Sequence, residues 1–222
     1  MFGLENYSAS SSIGLTTIGR YAVTMANLDR KTNPASGDIT QLANTVVARL
    51  DRPLALVGLM GSGKSAVGRR TAKKLGLNYT DSDQKIASDA GISITEIFEL
   101  SGEAKFREME FRAITQLALS KPQIIATGGG AFCFPKTARL LLSKTLVVWL
   151  QAPPETLLAR IGSTKSRPLL NNDNPLATLA KLNKERARHY QKAQIKINTD
   201  GLSTRKAMMT LIRALDTYLA AH

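Results

Sequence analysis

LALVGLMGSGKSAVGRRTAKKL, residues 54–75, decides how the rest of the chain is read. Leu54 to Val57 is an apolar run of strand type. Gly58-Leu59-Met60-Gly61-Ser62-Gly63-Lys64-Ser65 satisfies G-x-x-x-x-G-K-[ST] at every fixed position. A helical pattern follows, with Val67, Thr71 and Leu75 on one side and Gly76 placed to end it. Strand, glycine loop and helix together form the context in which this motif binds phosphate. The loop turns backbone N–H groups inward, and the helix N-terminus adds unpaired donors and partial positive charge. Lys64 then reaches the β and γ phosphates of a nucleotide, and the Ser65 hydroxyl ligates Mg²⁺. The bland alternative, a glycine-rich turn with a surface lysine, leaves both flanks unexplained.

Outward from this stretch, the 222 residues are enough for one substantial domain with an appendage. At 43% apolar the chain can build a core, and it is not disordered overall. Its one cysteine, Cys133, excludes an internal disulfide framework and suits a reducing compartment, so a cytoplasmic location is expected. No apolar run approaches the ~20 residues that cross a bilayer. The net charge is +13, of which residues 51–222 carry +12. No block of five basic residues and no basic–aromatic interleaving occurs. That distribution favours small anionic substrates over a specific nucleic-acid or membrane partner.

Residues 1–50 read as an extension. Met1 to Thr24 is rich in Ser, Gly and Thr, lacks clear periodicity and reads as flexible. An organellar transit segment is the alternative for residues 1–24, and Met25 is an alternative start. Asn33 to Gly37 reads as a turn. From Asp38 an amphipathic helix is expected, with Ile39, Leu42, Ala43, Val46, Val47 and Leu50 on one face, docked on the main domain.

Residues 51–222 alternate strands and helices. After the first unit come strands at Leu77 to Thr80, Gln123 to Ala126, Leu146 to Leu150 and Ile195 to Ile197. Helices are expected over Gln84 to Ala90, from Ser93 to Gly102, and over Glu103 to Leu119, Pro135 to Ser143, Pro154 to Ile161, Leu176 to Lys192 and Ser203 to Ala221. Gly162 to Asn174 holds no apolar period and reads as a mobile loop. Short apolar strands alternating with helices predict an α/β fold with a parallel sheet covered on both faces. Ligands of such sheets sit beyond the carboxyl ends of the strands. The glycine loop, Asp81/Asp83 and Gly128-Gly129-Gly130 all follow strands directly, so they should converge on one crevice.

Asp81 and Asp83 are spaced to face the same side of an extended chain. Phosphoryl transfer can use both, one carboxylate near the metal and one at the acceptor hydroxyl. On the spacing alone, a polar strand end with Asp83 capping the next helix is an equal reading. The triple glycine gives close backbone approach and free N–H groups, or simply a tight turn. Arg107, Arg167 and Arg186 carry forks suited to carboxylate and phosphate oxygens.

From Leu54 onward the chain resembles shikimate kinase, a small P-loop kinase of the nucleoside-monophosphate-kinase type. The resemblance rests on GLMGSGKS at Gly58 to Ser65, D-S-D at Asp81 to Asp83 and G-E-x-x-F-R-x-x-E from Gly102 to Glu110. It continues through TGGG at Thr127 to Gly130, RPLL at Arg167 to Leu170 and E-R-x-x-x-Y at Glu185 to Tyr190. It covers about three quarters of the chain, in family order.

The resemblance implies a three-layer fold with a five-stranded parallel sheet of order 2-3-1-4-5, a substrate-binding segment near 81–115 and a lid near 162–174. It implies transfer of the ATP γ-phosphoryl to the 3-hydroxyl of shikimate, with one Mg²⁺ per subunit, in a monomer. By position, Asp83 matches the base that also binds shikimate hydroxyls, and Asp81 the acid near Mg²⁺. Arg107 and Arg186 match the pair that grips the carboxylate, and Gly129 and Gly130 the backbone contacts to substrate. Phe98 and Phe106 match the pocket wall. ATP contacts are implied for Gly61, Ser62, Gly63, Lys64, Ser65 and Ala66. Arg160 matches a residue stacking on adenine, and Arg167 a lid arginine closing on the phosphates. The chain departs from the family at Ser163-Thr164-Lys165, where an acid is common, and near Thr204, where adenine contacts stay open. Cys133 and His189 read as structural. Two rival readings are a gluconate-kinase-like enzyme and a non-catalytic ligand-sensing domain.

Overall fold

The computed structural model describes residues 23–24, 36–164 and 168–222. The expectations for the chain before residue 23, the start of the turn at Asn33, and Arg167 lie outside them. Six strands form one all-parallel sheet: β1 (Val23–Thr24), β2 (Leu54–Val57), β3 (Tyr79–Asp81), β4 (Ile124–Ala126), β5 (Leu146–Gln151) and β6 (Ile195–Asn198). Their order is β1-β6-β5-β2-β4-β3. Counted from Leu54, the five main strands run 2-3-1-4-5, as expected. The two-residue β1 adds a sixth strand at the edge, beside Ile195 and Lys196. It corrects the reading of residues 1–24 at its last two positions, because a pairing this short leaves no periodicity in the sequence.

β2 is central. Leu54 lies between Ile124 and Leu146, and Leu56 between Ala126 and Val148. All four of its residues are buried, which explains why the strand reads as a continuous apolar run. The alternation of strand side chains divides the interior in two. Leu54 and Leu56 face a layer built from α1 (Ser36–Arg49), α2 (Lys64–Leu75) and α8 (Thr204–Ala221). Ala55 and Val57 face a layer that includes residues of α4 (Ile94–Ala118), α5 (Pro135–Lys144), α6 (Pro154–Ile161) and α7 (Pro175–Tyr190). A third, smaller core of Ile86, Ile97, Phe106 and Ala113 joins α3 (Ser82–Ala90) to α4.

The helix boundaries follow local chemistry. Ser93 and Glu96 form a reciprocal capping box at the start of α4. Within α4 the backbone breaks at Gly102 (φ 72°, ψ 176°), which marks the expected boundary between two helical stretches. α1 docks on α2 and α8, and Ile39, Ala43, Val46 and Leu50 are buried in the common core. Val47, expected on that face, is instead 38% exposed. The segment expected to be a featureless loop holds a 3₁₀ turn at Pro168–Leu170, and Leu170 is fully buried against the α6–α7 side of the core. A buried leucine beside an exposed one, Leu169, produces no period. Among the described residues, no helix is long and apolar enough to cross a membrane.

Candidate active site

The chemistry gathers at the carboxyl edge of the sheet. The glycine loop follows β2, Asp81 ends β3, the triple glycine follows β4, and Arg160 lies on the helix after β5. Thr199 and Thr204 follow β6. These segments surround one cleft of about 770 Å³. Gly61, Ser62, Gly63, Lys64, Ser65, Ala66, Asp81, Asp83, Phe98, Phe106, Arg107, Gly129, Gly130, Arg160 and Arg186 all line it. The structure therefore brings together every site residue expected from the sequence except Arg167, which lies outside the described residues.

At the nucleotide end, Gly63 precedes α2 in the left-handed region (φ 96°), and no side chain caps the helix. Its first N–H groups are thus left for an anion. Lys64 Nζ donates to the carbonyls of Gly58 (2.8 Å) and Leu59 (2.9 Å), so the ammonium lies over its own loop. Ser62 Oγ is buried without a hydrogen-bond partner among the described residues. Ser65 Oγ donates to Asp81 Oδ2 at 3.2 Å. A hydroxyl and a carboxylate oxygen, both hard ligands, fit Mg²⁺ carried by nucleotide phosphates. Among the described residues no group of three or more His, Cys, Asp or Glu is placed to hold a metal ion, and a nucleotide-borne Mg²⁺ requires no such cage.

The two aspartates do not stand on one extended strand. Only Asp81 belongs to β3, and Asp83 is in the first turn of α3. The cap of α3 is Asp81, not Asp83: its Oδ1 accepts from the N–H groups of Asp83 (3.1 Å) and Gln84 (3.5 Å). Asp83 is thereby released into the cleft. Between them, Ser82 is fully buried and accepts from the N–H of Gly128 at 3.1 Å, fastening the end of β3 to the glycine turn. Burial pushes the Asp83 carboxyl above the ordinary range, and repulsion from Asp81 adds to it. Lys64, Ser82 and Arg107 pull it back.

At the other end, Arg107 donates to Glu110 Oε2 (2.8 Å) and to Glu103 Oε1 (3.1 Å). Its guanidinium stacks on Phe134, 4.3 Å from the ring centroid, and on Phe106 at 5.0 Å. Glu110 is 1% exposed, and burial raises its carboxyl above the ordinary range despite Arg107. Arg186 donates to the carbonyl of Gly129 at 3.0 Å, and the Tyr190 hydroxyl donates to the same oxygen. Burial holds that phenol far above its usual pKa, so it stays protonated. Phe98 and Phe106 pack with centroids 4.5 Å apart along the wall.

Arg160 donates to Thr199 Oγ1 at 2.9 Å, and Thr199 Oγ1 also bonds the carbonyl of Gln151. The cleft's far wall includes Leu202, Thr204 and Ala207, the part that sequence left open. Four contributors escaped the sequence reading: Glu110, Phe134, Tyr190 and Thr199. Glu110 and Tyr190 stood inside quoted motifs without a role; a carboxylate three residues after Arg107 on a helix is a findable signal. Phe134 and Thr199 had none. Cys133 and His189 do not line the cleft. Burial pushes the Cys133 thiol up and the His189 imidazole down.

A family model described as shikimate kinase matches residues 60–216. A shikimate kinase of Rhodopseudomonas palustris is 41% identical over 187 residues, covering 84% of this chain and 92% of the relative. One of Bartonella henselae is 37% identical over 191 residues, covering 86% and 91%. Among solved structures, shikimate kinase from Acinetobacter baumannii in complex with shikimate superposes with a TM-score of 0.74 at 34% identity, covering 78% of this chain and 98% of that one. A five-stranded core in this order, a phosphate loop and a two-arginine pocket sharing one cleft, and these matches lead to one assignment: the chain belongs to the shikimate kinase family.

Proposed function

We infer that the chain transfers the γ-phosphoryl of ATP to the 3-hydroxyl of shikimate, giving 3-phosphoshikimate and ADP, the step its family performs on the route to chorismate. One observation carries the reading. Arg107, Arg186 and Asp83 share a single cleft with the phosphate loop. Two guanidinium groups suit a carboxylate at one pole, and an acid with backbone N–H groups suits hydroxyls at the other.

In this reading Asp83 accepts the hydrogen bond of the acceptor hydroxyl and takes its proton at a carboxylate oxygen. Because phosphoryl transfer is loose, its main work is to aim that oxygen along the line of attack. Lys64 and the N–H groups at the start of α2 draw charge from the phosphates as the bond to the leaving ADP breaks. Phe98 and Phe106 exclude water from the acceptor end, and Arg167 on the lid closes the phosphate end. Arg160 borders the adenine. One Mg²⁺ held by Ser65, with Asp81 beside it, supplies charge neutralisation of the phosphate oxygens. The catalytic unit spans residues 51–222 with α1 as a brace. The enzyme acts in the cytoplasm, in keeping with its one cysteine, and as a monomer, as the family resemblance implies.

An ADP-release assay with shikimate, gluconate and nucleoside monophosphates as acceptors tests the assignment. Shikimate is expected to stimulate release strongly and the others not at all. Stimulation by gluconate alone would overturn it.

A further inference from the structure

Asp81 has two oxygens with separate employment. Oδ1 is committed to the N-cap of α3 through the Asp83 and Gln84 amides. Oδ2 accepts from two hydroxyls, Ser65 at 3.2 Å and Tyr79 at 3.3 Å. These two donors are unlike in what nucleotide binding asks of them. Ser65 belongs to the phosphate loop, and its hydroxyl is the group assigned to the metal. When it turns there, its proton is withdrawn from Asp81 or redirected. The Tyr79 hydroxyl, which also lies within reach of Ser65, is not assigned to the metal and can keep Oδ2 when Ser65 turns.

The tyrosine is built to hold that position. Its ring lies against the backbone of α2 so closely that a Cβ on Gly68 would stand 2.9 Å from the ring carbon Cε2. The Arg69 guanidinium covers the ring, 4.6 Å from its centroid, and donates onward to Gln84 Oε1 at 3.3 Å. Ser65, Gly68 and Arg69 are spaced i, i+3 and i+4, so they present one face of α2 to the end of β3.

We propose that Tyr79 is a positioning residue for the Asp81 carboxylate, keeping Oδ2 turned toward the nucleotide's metal after Ser65 has been drawn away. The proposal rests on the functional reading only in taking the ligand to be a Mg²⁺–nucleotide. Without the phenol, Oδ2 loses its second donor, and only the two α3 amides on Oδ1 are left to set the carboxylate's rotation about its Cβ–Cγ bond. The cost then falls on metal-assisted nucleotide binding and not on the shikimate pocket, which Tyr79 does not line.

The test is calorimetric titration of ADP into wild-type protein and Tyr79→Phe, with and without Mg²⁺. ADP affinity without Mg²⁺ should be unchanged. The gain in affinity on adding Mg²⁺ should fall about fivefold in the variant, the scale of one ordinary net hydrogen bond. In the kinase assay the Mg²⁺ concentration for half-maximal rate should rise by a similar factor, with the KM for shikimate unchanged. Arg69→Met, which uncovers the ring but keeps the hydroxyl, should move the same quantities less. Identical Mg²⁺ dependence in wild type and Tyr79→Phe would overturn the proposal, as would a loss of ADP affinity that is the same with and without Mg²⁺. If the wild type binds Mg·ADP but does not phosphorylate shikimate, the functional reading fails while the titration still decides the role of Tyr79.

Discussion

A Cβ placed on Gly128 would stand 2.7 Å from Oδ1 of Asp83 and 3.1 Å from Oε1 of Glu110. The partly buried Asp83 and the buried Glu110 carboxylates thus converge on a stretch of backbone where an added Cβ would force a shift. Gly128→Ala should push Asp83 out of its place. We expect kcat to drop at least a hundredfold and stability to fall by about 1–3 kcal/mol, the usual cost of overpacking. Steady-state kinetics with a thermal melt checks both; near-normal turnover would mean that Asp83 does not need this site.

Asp83→Asn should lower kcat by orders of magnitude while leaving ADP binding intact, because in the proposed mechanism the side chain meets the acceptor and not the phosphates. Binding by calorimetry beside turnover separates the two. Retained turnover would assign the acceptor's proton to another group.

The same substitution carries a stability prediction with a definite sign. Asp83 has a folded-state pKa raised above its unfolded value by burial. Below the unfolded value, about 4, it is protonated in both states and burial costs little. As pH rises through the folded-state pKa the carboxylate must be buried charged, and stability is lost. Asp83→Asn should therefore gain thermal stability over wild type as pH rises from 4 to 7, and show no advantage at the acid end. Kinetically, kcat/KM of the wild type should decline on the acid side at a pH above that of an ordinary aspartate. A stability difference constant across the range would contradict the assignment of a buried, charge-strained carboxyl.

Arg107 and Arg186 should fail differently. Arg107 is ion-paired with Glu110, whose side chain is only 2% exposed, so Arg107→Ala leaves a carboxylate buried without its partner. We expect a loss of about 2–4 kcal/mol together with a higher KM for shikimate. Arg186 donates to a backbone carbonyl that Tyr190 also serves, so Arg186→Ala should raise the same KM with little change in melting temperature. Equal destabilisation by the two variants would refute this division.

α1 supplies the last contrast. Val46 is fully buried, and Ile39, Ala43 and Leu50 are nearly so, all in the core shared with α2 and α8. Starting the chain at Asp51 should cost about 4–8 kcal/mol at the usual value per buried aliphatic side chain. Starting it at Ser36 should retain that contribution. Chemical denaturation of the two truncations measures the difference, and equal stability would show the helix to be dispensable.

Much of this site was legible because it is local. A strand, a glycine loop and a helix within 22 consecutive residues announce a phosphate cradle, and the alternating pattern places each loaded loop at a carboxyl end of the sheet. The capping box at Ser93, the break at Gly102 and the helix over Pro154–Ile161 were equally readable, since each depends on neighbours in the chain. What the residue order alone determined is therefore the set of elements and the chemistry mounted on their ends. The tertiary structure alone decided which partner each group serves. Asp81, not Asp83, caps α3, because the strand ends one residue before the helix begins. Ser82 meets Gly128 across 46 residues, and Arg186 meets Gly129 across 57. Such pairings have no periodic or compositional trace. They exist only once parallel strands have set the loops side by side, and burial then makes every unpaired polar group costly enough to fix its partner.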